Sequence, residues 1–282
     1  MTTAVILATY EQPRALELSL WGYAMQTDRD FRIIVADDGS SLETQEVIDR
    51  ARSAMGLRIE HVWQPDRGFR KSEILNRAIA AAHEDYLIFS DGDTIPRNDL
   101  IRTHLDLAER GRYLAGGYIK LPAVVSDAIT VDDVRSGSAL DLNWLRARGY
   151  RAGRHALRFT RSRTWGALLD RATSQKVRWH GNNASTYREY LIAVDGFDME
   201  MGYGGQDAAL GDRMENLGVK PKRIRYRTLA VHLEHERPWR DPEGMRRNMD
   251  IRRRIRATGE TRATRGISKL DQPAATAPRT SS

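Results

Sequence analysis

The sequence of 282 residues contains no cysteine. This absence excludes disulfide bonds, thiolate nucleophiles and every zinc or iron–sulfur site that cysteine holds, so a metal must be bound by Asp, Glu, His or carbonyl oxygens. Long apolar runs are also missing, since those near residues 4–8 and 86–89 are far shorter than the roughly 20 residues that span a bilayer. The N-terminus lacks the basic start and apolar stretch of a signal peptide. We therefore expect a cytoplasmic protein.

Positive charge is concentrated in one part of the chain. Lys and Arg number 45 against 38 Asp and Glu, which gives a net charge of +7. Between Leu145 and His180 the single acid is Asp170, and the basic residues are Arg146, Arg148, Arg151, Arg154, Arg158, Arg161, Arg163, Arg171, Lys176 and Arg178. Trp144, Tyr150, Trp165 and Trp179 lie among them. Such a segment is typical of surfaces that bind nucleic acid, an anionic membrane or a phosphorylated substrate, and a solvated face is the alternative.

The first third of the chain alternates short β-branched runs with amphipathic segments, which predicts a parallel sheet with crossover helices. The predicted strands cover residues 5–7, 31–36, 57–63 and 86–90, and the predicted helices begin near Pro13, Leu42 and Lys71. Further along, the pattern predicts helices over 98–109, 206–217 and 242–257 and strands over 113–118 and 224–231. With 40% hydrophobic and 29% charged residues, the composition is that of a globular protein.

We divide the chain accordingly. Residues 1–95 are predicted to form a nucleotide-binding α/β half, and residues 96–241 a second half of the same domain, with a basic insertion near 123–180. A basic helical extension over 242–270 and a disordered tail over 271–282, rich in Pro, Ala, Thr and Ser, follow.

Polar residues follow three of the predicted strands, at the places where open α/β sheets bind ligands. They are Ala8-Thr9-Tyr10, Asp37-Asp38-Gly39-Ser40 and Asp91-Gly92-Asp93. There is no Walker A loop and no Gly-x-Gly-x-x-Gly motif after the first strand, so another group must neutralise a diphosphate if one binds. The Asp-x-Asp pair at 91–93 suits Mg2+ or Mn2+, which prefer oxygen ligands, although such a sequence is also a common turn.

Two later motifs also offer functional side chains. His232-Leu233-Glu234-His235 ends a predicted strand, and strand alternation would turn its histidines to opposite faces, so at most one is expected to join the Asp pair. A hydrogen-bonded structural role is the alternative for a single histidine. In Gly204-Gly205-Gln206-Asp207, the acid either complements the dipole of the following helix or acts as a general base on a flexible loop. These two readings stay open.

The order of these motifs carries a resemblance. The motifs already quoted from the first third, together with Gly68-Phe69-Arg70 and Asn76-Arg77-Ala78-Ile79, resemble the GT-A glycosyltransferases of family 2. The residues Gly181, Asn183, Ser185 and Arg188, then Asp195-Gly196-Phe197-Asp198, Gly204-Gly205-Gln206-Asp207 and His232 with His235, resemble the C-terminal galactosyltransferase-type module of chondroitin-polymerase-like and β-1,4-galactosyltransferase-like enzymes. The resemblance covers about residues 3–238, without 123–179.

The resemblance implies a fold and a set of roles. The fold would be GT-A, a mixed central sheet flanked by helices, and residues 96–241 would be its acceptor-binding and catalytic half. Thr9, Tyr10, Asp38, Arg70 and Asp91 would bind the donor nucleotide, with Tyr10 and Asp38 at the uracil, Arg70 closing that pocket and Asp91 near the ribose or sugar. Asp93 and His232, with His235 in reserve, would hold Mn2+ or Mg2+, and Asp207 would be the catalytic base. Asn183, Gly204, Gly205 and Gln206 would contact the sugar or acceptor, although the family usually has Glu where Gln206 stands.

The expected activity is therefore inverting, metal-dependent transfer of a sugar from a UDP-sugar to a hydroxyl of a saccharide or glycolipid acceptor. Family analogy places it in bacterial lipopolysaccharide or capsule synthesis, with the basic segment against an anionic membrane surface or a phosphorylated glycolipid, and no nucleic acid is expected as a partner. Two alternatives are a nucleic-acid-binding protein that uses the Arg/Trp-rich segment and a sugar nucleotidyltransferase. Galactose, N-acetylgalactosamine and N-acetylglucosamine are all open as donor sugars.

Overall fold

The computed structural model describes residues 1–235 and 241–270 and the short strand at 275–276. The strands are β1 Thr3–Thr9, β2 Arg32–Asp37, β3 Ile59–Trp63, β4 Tyr86–Asp91, β5 Thr94–Pro96, β6 Arg112–Ala115, β7 Tyr118–Lys120, β8 Ala184–Tyr187, β9 Lys220–Arg223, β10 Ala230–His232 and β11 Ala275–Thr276. The helices are α1 Pro13–Ala24, α2 Leu42–Ala54, α3 Lys71–Ala81, α4 Leu100–Leu107, α5 Ala123–Ala128, α6 Val131–Arg135, α7 Leu142–Ala147, α8 Arg163–Ala172, α9 Arg188–Ala193, α10 Gln206–Asn216 and α11 Pro242–Thr258. Short 3-10 helices cover Ser138–Leu140, Gly153–Phe159 and Ile267–Lys269.

The main sheet confirms the predicted mixed α/β architecture. Its strand order is β11-β3-β2-β1-β4-β8-β6-β9. Strands β3, β2, β1 and β4 are parallel, whereas β8 is antiparallel to both β4 and β6. Helices cover both faces, so β1 is almost entirely buried and reads as a continuous apolar run. Because Ala8 lies beside Ala36 on one side and Asp91 on the other, the ends of β1, β2 and β4 meet at one edge.

A second, three-stranded sheet in the order β5-β10-β7 lies beyond this edge. Strand β10 is antiparallel to β5 and parallel to β7, which places His232 beside Thr94 and beside Lys120. Since β5 follows β4 after a two-residue turn, Asp93 comes next to the end of β10. The small sheet therefore brings together residues that are about half the chain apart.

Two strand predictions are wrong, because each treats as one strand a range that does not form a single strand. The predicted strand over 113–118 is two strands, β6 and β7, which belong to different sheets and are separated by Gly116 and Gly117. A side chain at Gly116 would clash with Asn183, since its Cβ would lie 2.4 Å from the Asn183 Cγ. The predicted strand over 224–231 contains only β10, because residues 224–228 form a turn in which the N–H groups of Arg227 and Thr228 donate to the Ile224 carbonyl.

The basic segment is folded rather than loose. Residues 123–159 contribute buried apolar side chains to a core shared with the small sheet, among them Val125, Ile129 and Leu145 packed with Ile119 and Val231. Trp179 is fully buried instead between Phe89 and Tyr113 of the main sheet. Helix α11 packs against α10. The predicted disordered tail lies outside the described residues except for β11, which pairs antiparallel with β3.

No helix in the two long described ranges is both long enough and apolar enough to cross a bilayer.

Candidate active site

A cavity of about 660 Å³ opens at the edge where β1, β2 and β4 end. The small sheet, the start of α3 and the loop before α10 form its other walls. The predicted site residues that line it are Thr9, Tyr10, Asp38, Asp91, Asp93, Gly204, Gly205, Gln206, Asp207, His232 and His235. Two predicted residues, Arg70 and Asn183, do not line it. The crevice rule for open α/β sheets therefore located the cavity from sequence.

Three side chains in this cavity form a candidate metal centre. Asp93 Oδ2 lies 2.9 Å from His235 Nε2 and 3.5 Å from His232 Nε2. One ligand atom from each of the three residues lies within 4.8 Å of the others. The prediction that at most one histidine joins the Asp pair is wrong, because β10 ends at His232 and strand alternation does not continue to His235. The Leu233 N–H donates to the Asp93 carbonyl (2.9 Å), which holds this turn beside the acid.

The donor set fits a divalent cation. A carboxylate and two imidazoles are ligands that first-row divalent metals accept, and their convergence in a buried corner is costly unless a positive charge or protons balance the carboxylate. Burial alone would raise the pKa of Asp93, but the hydrogen bond from His235 and the charges of His232, His235 and Lys71 outweigh it and lower that pKa. Asp93 is therefore ionised and available as a ligand at neutral pH.

Asp38 is held in place at the β2 end of the cavity. Gln64 Nε2 donates to its Oδ1 (2.6 Å), and the backbone N–H of Arg70 donates to its Oδ2 (2.8 Å). Nearby, the Tyr10 hydroxyl donates to Asp66 (3.1 Å). Burial raises the pKa of Asp38 to about 6, despite these hydrogen bonds. A carboxylate at the end of β2 is thus near its titration point under mildly acidic conditions.

This pKa gives a prediction for nucleotide affinity. If ionised Asp38 accepts a hydrogen bond from the base, UDP affinity falls as the pH drops below about 6, by about tenfold per pH unit once the acid is mostly protonated. The affinity of Asp38→Asn should be lower at pH 7 and change less with pH. Calorimetric titration of UDP into both proteins across this pH range measures the two affinities. The ionisation of UDP itself affects both proteins equally, so the difference between their pH profiles reports on Asp38. Parallel pH profiles would contradict the assignment.

Arg70 does not close the pocket with its side chain. Its Nη1 lies 3.1 Å from Glu73 Oε2, and its Nη2 donates to the Pro65 carbonyl. The guanidinium is therefore held against the 65–70 loop and the first turn of α3, and the contribution of Arg70 to the cavity is the backbone N–H that orients Asp38. The motif predicted the right position in the chain but not the direction of the side chain.

Lys71 is a cavity residue that sequence reasoning missed. Its Nζ lies 2.5 Å from Asp91 Oδ1. Burial alone would lower the pKa of Lys71, but the charges of Asp91, Asp207 and Asp93 outweigh it and raise that pKa, so the ammonium stays charged. We interpreted Lys71 only as the beginning of a helix. The missing phosphate cradle was the available signal, because it required a positive group near these strand ends.

Asp207 also lines the cavity, in the first turn of α10. Gly204 and Gly205 before it both have φ of +94°, a conformation that favours glycine. Asp207 Oδ1 is buried and has no hydrogen-bond partner among the described residues. A Cβ at Gly181 would lie 2.8 Å from this oxygen, so glycine there leaves it room. Burial raises the pKa of Asp207, Lys71 lowers it and Asp91 raises it further, with a net increase.

Asn248, on α11, supports the loop that carries Asp207. Its buried amide Nδ2 donates to the carbonyls of Gly202 (3.2 Å), Tyr203 (3.2 Å) and Gly204 (2.7 Å). One side chain thus satisfies a run of backbone acceptors in a loop that has no regular structure of its own. Sequence reasoning missed this residue because it lies about 40 residues beyond the loop, inside a segment that we predicted as a basic extension.

Asn183 lies behind the cavity rather than in it. It is 1% exposed, its Nδ2 donates to the Gly117 carbonyl (2.8 Å) and its Oδ1 lies 2.8 Å from His104 Nε2. Its amide therefore joins β8 to the break between β6 and β7. The predicted contact of Asn183 with the sugar or acceptor is corrected to a structural role. The neighbouring Asn182, His180 and Gly181 line the cavity instead.

Known proteins resemble this chain in sequence and in structure. A model of glycosyl transferase family 2 matches residues 4–160, more than half of the chain. Chondroitin synthase of Escherichia coli is 29% identical over 105 residues, which are 37% of this chain and 15% of that protein. The mannosyltransferase PcManGT of Pyrobaculum calidifontis, solved with GDP-Man and Mn2+, superimposes with a TM-score of 0.55 at 19% identity, over 92% of this chain and 62% of that one.

A second solved structure, S. aureus TarS 1-349 in complex with UDP-GlcNAc, superimposes with a TM-score of 0.59 at 15% identity, over 92% of this chain and 66% of that one. The chain thus spans less than two thirds of each of these three proteins. The two structural relatives have the GT-A fold, and the mixed sheet of this chain is that fold, as the resemblance implied. With its match to the family model, the chain belongs to glycosyltransferase family 2.

Proposed function

We propose that this glycosyltransferase moves a sugar from a UDP-sugar to a hydroxyl of a saccharide or glycolipid acceptor, with inversion at the anomeric carbon and with dependence on Mn2+ or Mg2+. The observation that carries the proposal is the composition of one cavity. It holds a two-histidine, one-carboxylate cluster on one wall and a buried, unpartnered carboxylate oxygen, Asp207 Oδ1, on another. The first arrangement suits a diphosphate with its cation, and the second suits removal of a proton.

Asp93, His232 and His235 would hold the cation. When bound, a divalent ion supplies Lewis-acid stabilisation of the negative charge that develops on the diphosphate leaving group. Lys71 would add a fixed positive charge on the same side, because its ammonium stays charged beside Asp91. The missing glycine-rich phosphate loop is thereby compensated by side chains. Support for a cation also comes from PcManGT, which was solved with Mn2+.

Asp207 would act as the general base. Its Oδ1 would accept the proton of the acceptor hydroxyl while that oxygen attacks the anomeric carbon, as the bond between the sugar and the diphosphate breaks. A single displacement of this kind inverts the configuration and needs no covalent intermediate on the protein. The raised pKa of Asp207 makes it a stronger base than an exposed aspartate. The charge of Lys71 opposes that shift.

The donor nucleotide is proposed as UDP on the basis of the β2 end. Asp38 and Tyr10 lie there, where the family resemblance places the uracil contacts, and TarS was solved with UDP-GlcNAc. PcManGT was solved with GDP-Man, so the nucleotide is an outcome of the test. We further propose that residues 181–235 correspond to the galactosyltransferase-type module. In support, Gly204-Gly205-Gln206-Asp207 and both histidines line the same cavity.

The biological setting is proposed by analogy. Chondroitin synthase, a relative over about a third of this chain, is a polysaccharide synthase by name, which favours a role in bacterial lipopolysaccharide or capsule synthesis. Residues 96–241 would then form the acceptor half, with the basic segment beside it. Peripheral association with an anionic membrane surface is part of the same proposal.

The test is a donor screen with identification of the product. UDP-galactose, UDP-N-acetylgalactosamine, UDP-N-acetylglucosamine and GDP-mannose are offered with Mn2+ and a panel of saccharide and glycolipid acceptors. We expect UDP release that requires the acceptor, and a β-linked product from these α-linked UDP donors by proton NMR. Retention of the α configuration, or turnover with GDP-mannose alone, would contradict the proposal. A nucleoside triphosphate offered with a sugar phosphate is the control for a nucleotidyltransferase and should give no product.

A further inference from the structure

Helix α8, within the basic segment, presents two of its three large apolar side chains to solvent, whereas Leu169 is half-buried. Trp165 is 48% exposed and Leu168 is 53% exposed. They are three residues apart and therefore lie on one face of the helix. Thr164, Arg171 and Ala172, which are also exposed, share that face by their spacing. A surface helix of a globular protein usually turns this kind of face to the core, so α8 has the reverse arrangement.

The opposite face of α8 explains why the helix is fixed in this orientation. Gly166 packs so closely on the turn of residues 224–228 that a Cβ at position 166 would lie 2.7 Å from the Tyr226 carbonyl oxygen. Asp170 is buried, accepts from Arg227 Nε (2.8 Å) and from the Tyr226 N–H (3.1 Å), and its own carbonyl accepts from Arg223 (3.0 Å). These contacts are polar and specific. The exposure of Trp165 and Leu168 is therefore built into the packing of α8.

The charge around this face is positive. Asp170, the single acid between residues 145 and 180, is consumed by the contacts just described, whereas ten Lys and Arg side chains belong to the same stretch. The acids that pair with this stretch from other elements are Asp106, 3.0 Å from Arg163, and Glu215, 3.9 Å from Lys176. Another exposed apolar side chain, Leu157, at 46%, lies on the same stretch. Exposed Trp and Leu on a helix that also carries the exposed Arg163 and Arg171 is a composition typical of helices that lie in the headgroup region of a membrane.

We infer that the exposed face of α8, defined by Trp165, Leu168 and Arg171, docks on the surface of an anionic lipid bilayer. Arginines are attracted to the acidic headgroups, and Trp165 with Leu168 enter the interface, where an indole is favoured. Nucleic acid would satisfy the arginines and could stack on Trp165, but it offers nothing to Leu168 or Leu157. The paired aliphatic and aromatic side chains thus favour lipid.

Elements that contact α8 or adjoin it in sequence reach the cavity wall. The turn of residues 224–228, on which α8 packs, leads into β10 and its His232. The basic segment ends at His180, which lines the cavity. Arg158 donates to the carbonyl of Tyr118, another lining residue. A bilayer at α8 would therefore lie along the side of the cavity formed by the small sheet. For the proposed transferase, this would bring the site close to acceptors that are anchored in the membrane.

Co-sedimentation of the full chain with vesicles tests the inference. We expect binding to phosphatidylcholine vesicles that contain phosphatidylglycerol, weak binding to phosphatidylcholine alone, and loss of binding at high salt. The double substitution Trp165→Ser with Leu168→Ser should weaken binding about tenfold, since the apolar side chains that enter the interface are gone. The matched control replaces two exposed apolar residues elsewhere, Ile192→Ser with Leu217→Ser, and should bind as the wild type does.

Three results would overturn the inference. They are no binding of the wild type to anionic vesicles, equal binding of the Trp165/Leu168 variant, and an oligonucleotide affinity that exceeds the vesicle affinity and falls equally in that variant. Circular dichroism of both double variants shows whether they are folded, and the salt and lipid dependence of the wild type needs no variant. UDP binding, measured separately, should be unchanged by the two serines. Failure of the transferase proposal and failure of the membrane inference are therefore distinguishable.

Discussion

Replacing Asp207 with asparagine is expected to lower the rate of sugar transfer by about 10²–10⁴-fold, which is the range that a positioned general base contributes. Asparagine has nearly the same size but cannot accept the proton of the acceptor hydroxyl. UDP affinity should stay almost unchanged, because Asp207 lies on α10 and belongs neither to the β2 end, where Asp38 lies, nor to the candidate metal cluster. Initial rates of acceptor-dependent UDP release, with calorimetric UDP titration of the same protein, check both parts.

The control for this variant lies on the same helix. Glu215 is two turns further along α10 and accepts a hydrogen bond from the Tyr113 hydroxyl (2.9 Å), outside the cavity. Glu215→Gln keeps an acceptor for Tyr113 and removes one negative charge, as Asp207→Asn does. Its transfer rate should match that of the wild type. If Asp207→Asn also retained wild-type turnover, Asp207 would not be the base, and the first-turn acid would only complement the helix dipole.

Replacing Asp93 with alanine is expected to lower transfer by about a thousandfold, since stabilisation of a phosphate oxygen by a metal ion is worth several kcal/mol. The substitution removes the carboxylate that both histidines face, at 2.9 and 3.5 Å. Nucleotide binding should weaken only when Mn2+ is present, because the defect is in the cation site. Calorimetric titration of UDP with and without Mn2+ measures this difference directly.

Two further variants make this prediction more specific. His232→Ala and His235→Ala should each reduce the Mn2+ dependence, since both rings are part of the cluster. Asp127→Ala, at an exposed acid outside the cavity, should leave it unchanged. Wild-type UDP binding that is indifferent to Mn2+, or Mn2+ dependence that persists in Asp93→Ala, would remove the cation site from the proposal.

The fold of residues 1–95 was predictable because its signals are local. Strands such as β1 and β4 are buried on both faces, so each is a short apolar run, and their polar ends mark one edge of a parallel sheet. Strands β5 to β10 are three or four residues long and divided between two sheets. Apolar residues of the turn at 224–228 were therefore predicted as part of a strand. Periodicity cannot distinguish a buried turn from a short buried strand.

The site itself was predicted by position but not by direction. Asp93 and Asp207, which both line the cavity, were singled out because one lies just after a strand, the other lies in the first turn of a helix, and both belong to motifs that carry the family resemblance. The joint role of His232 and His235 depends on where β10 ends, which no short pattern encodes. The inward position of Lys71 and the outward one of Arg70 differ by one residue on the same turn, and that choice is made by Asp91 and Glu73 as partners.

Helix α11 bears on which lengths of this chain can function. A shortened protein that ended before Pro242 would keep the strand ends, Lys71 and the two histidines, and so would retain the surfaces proposed to recognise the donor. It would lose Asn248, whose amide satisfies three consecutive carbonyls just before Asp207. We therefore expect such a protein to bind the donor but to transfer sugar poorly, because Asp207, the proposed base, would follow a glycine loop that lacks the hydrogen bonds of Asn248. Helix α11 is therefore expected to be needed for sugar transfer, although none of its residues lines the cavity.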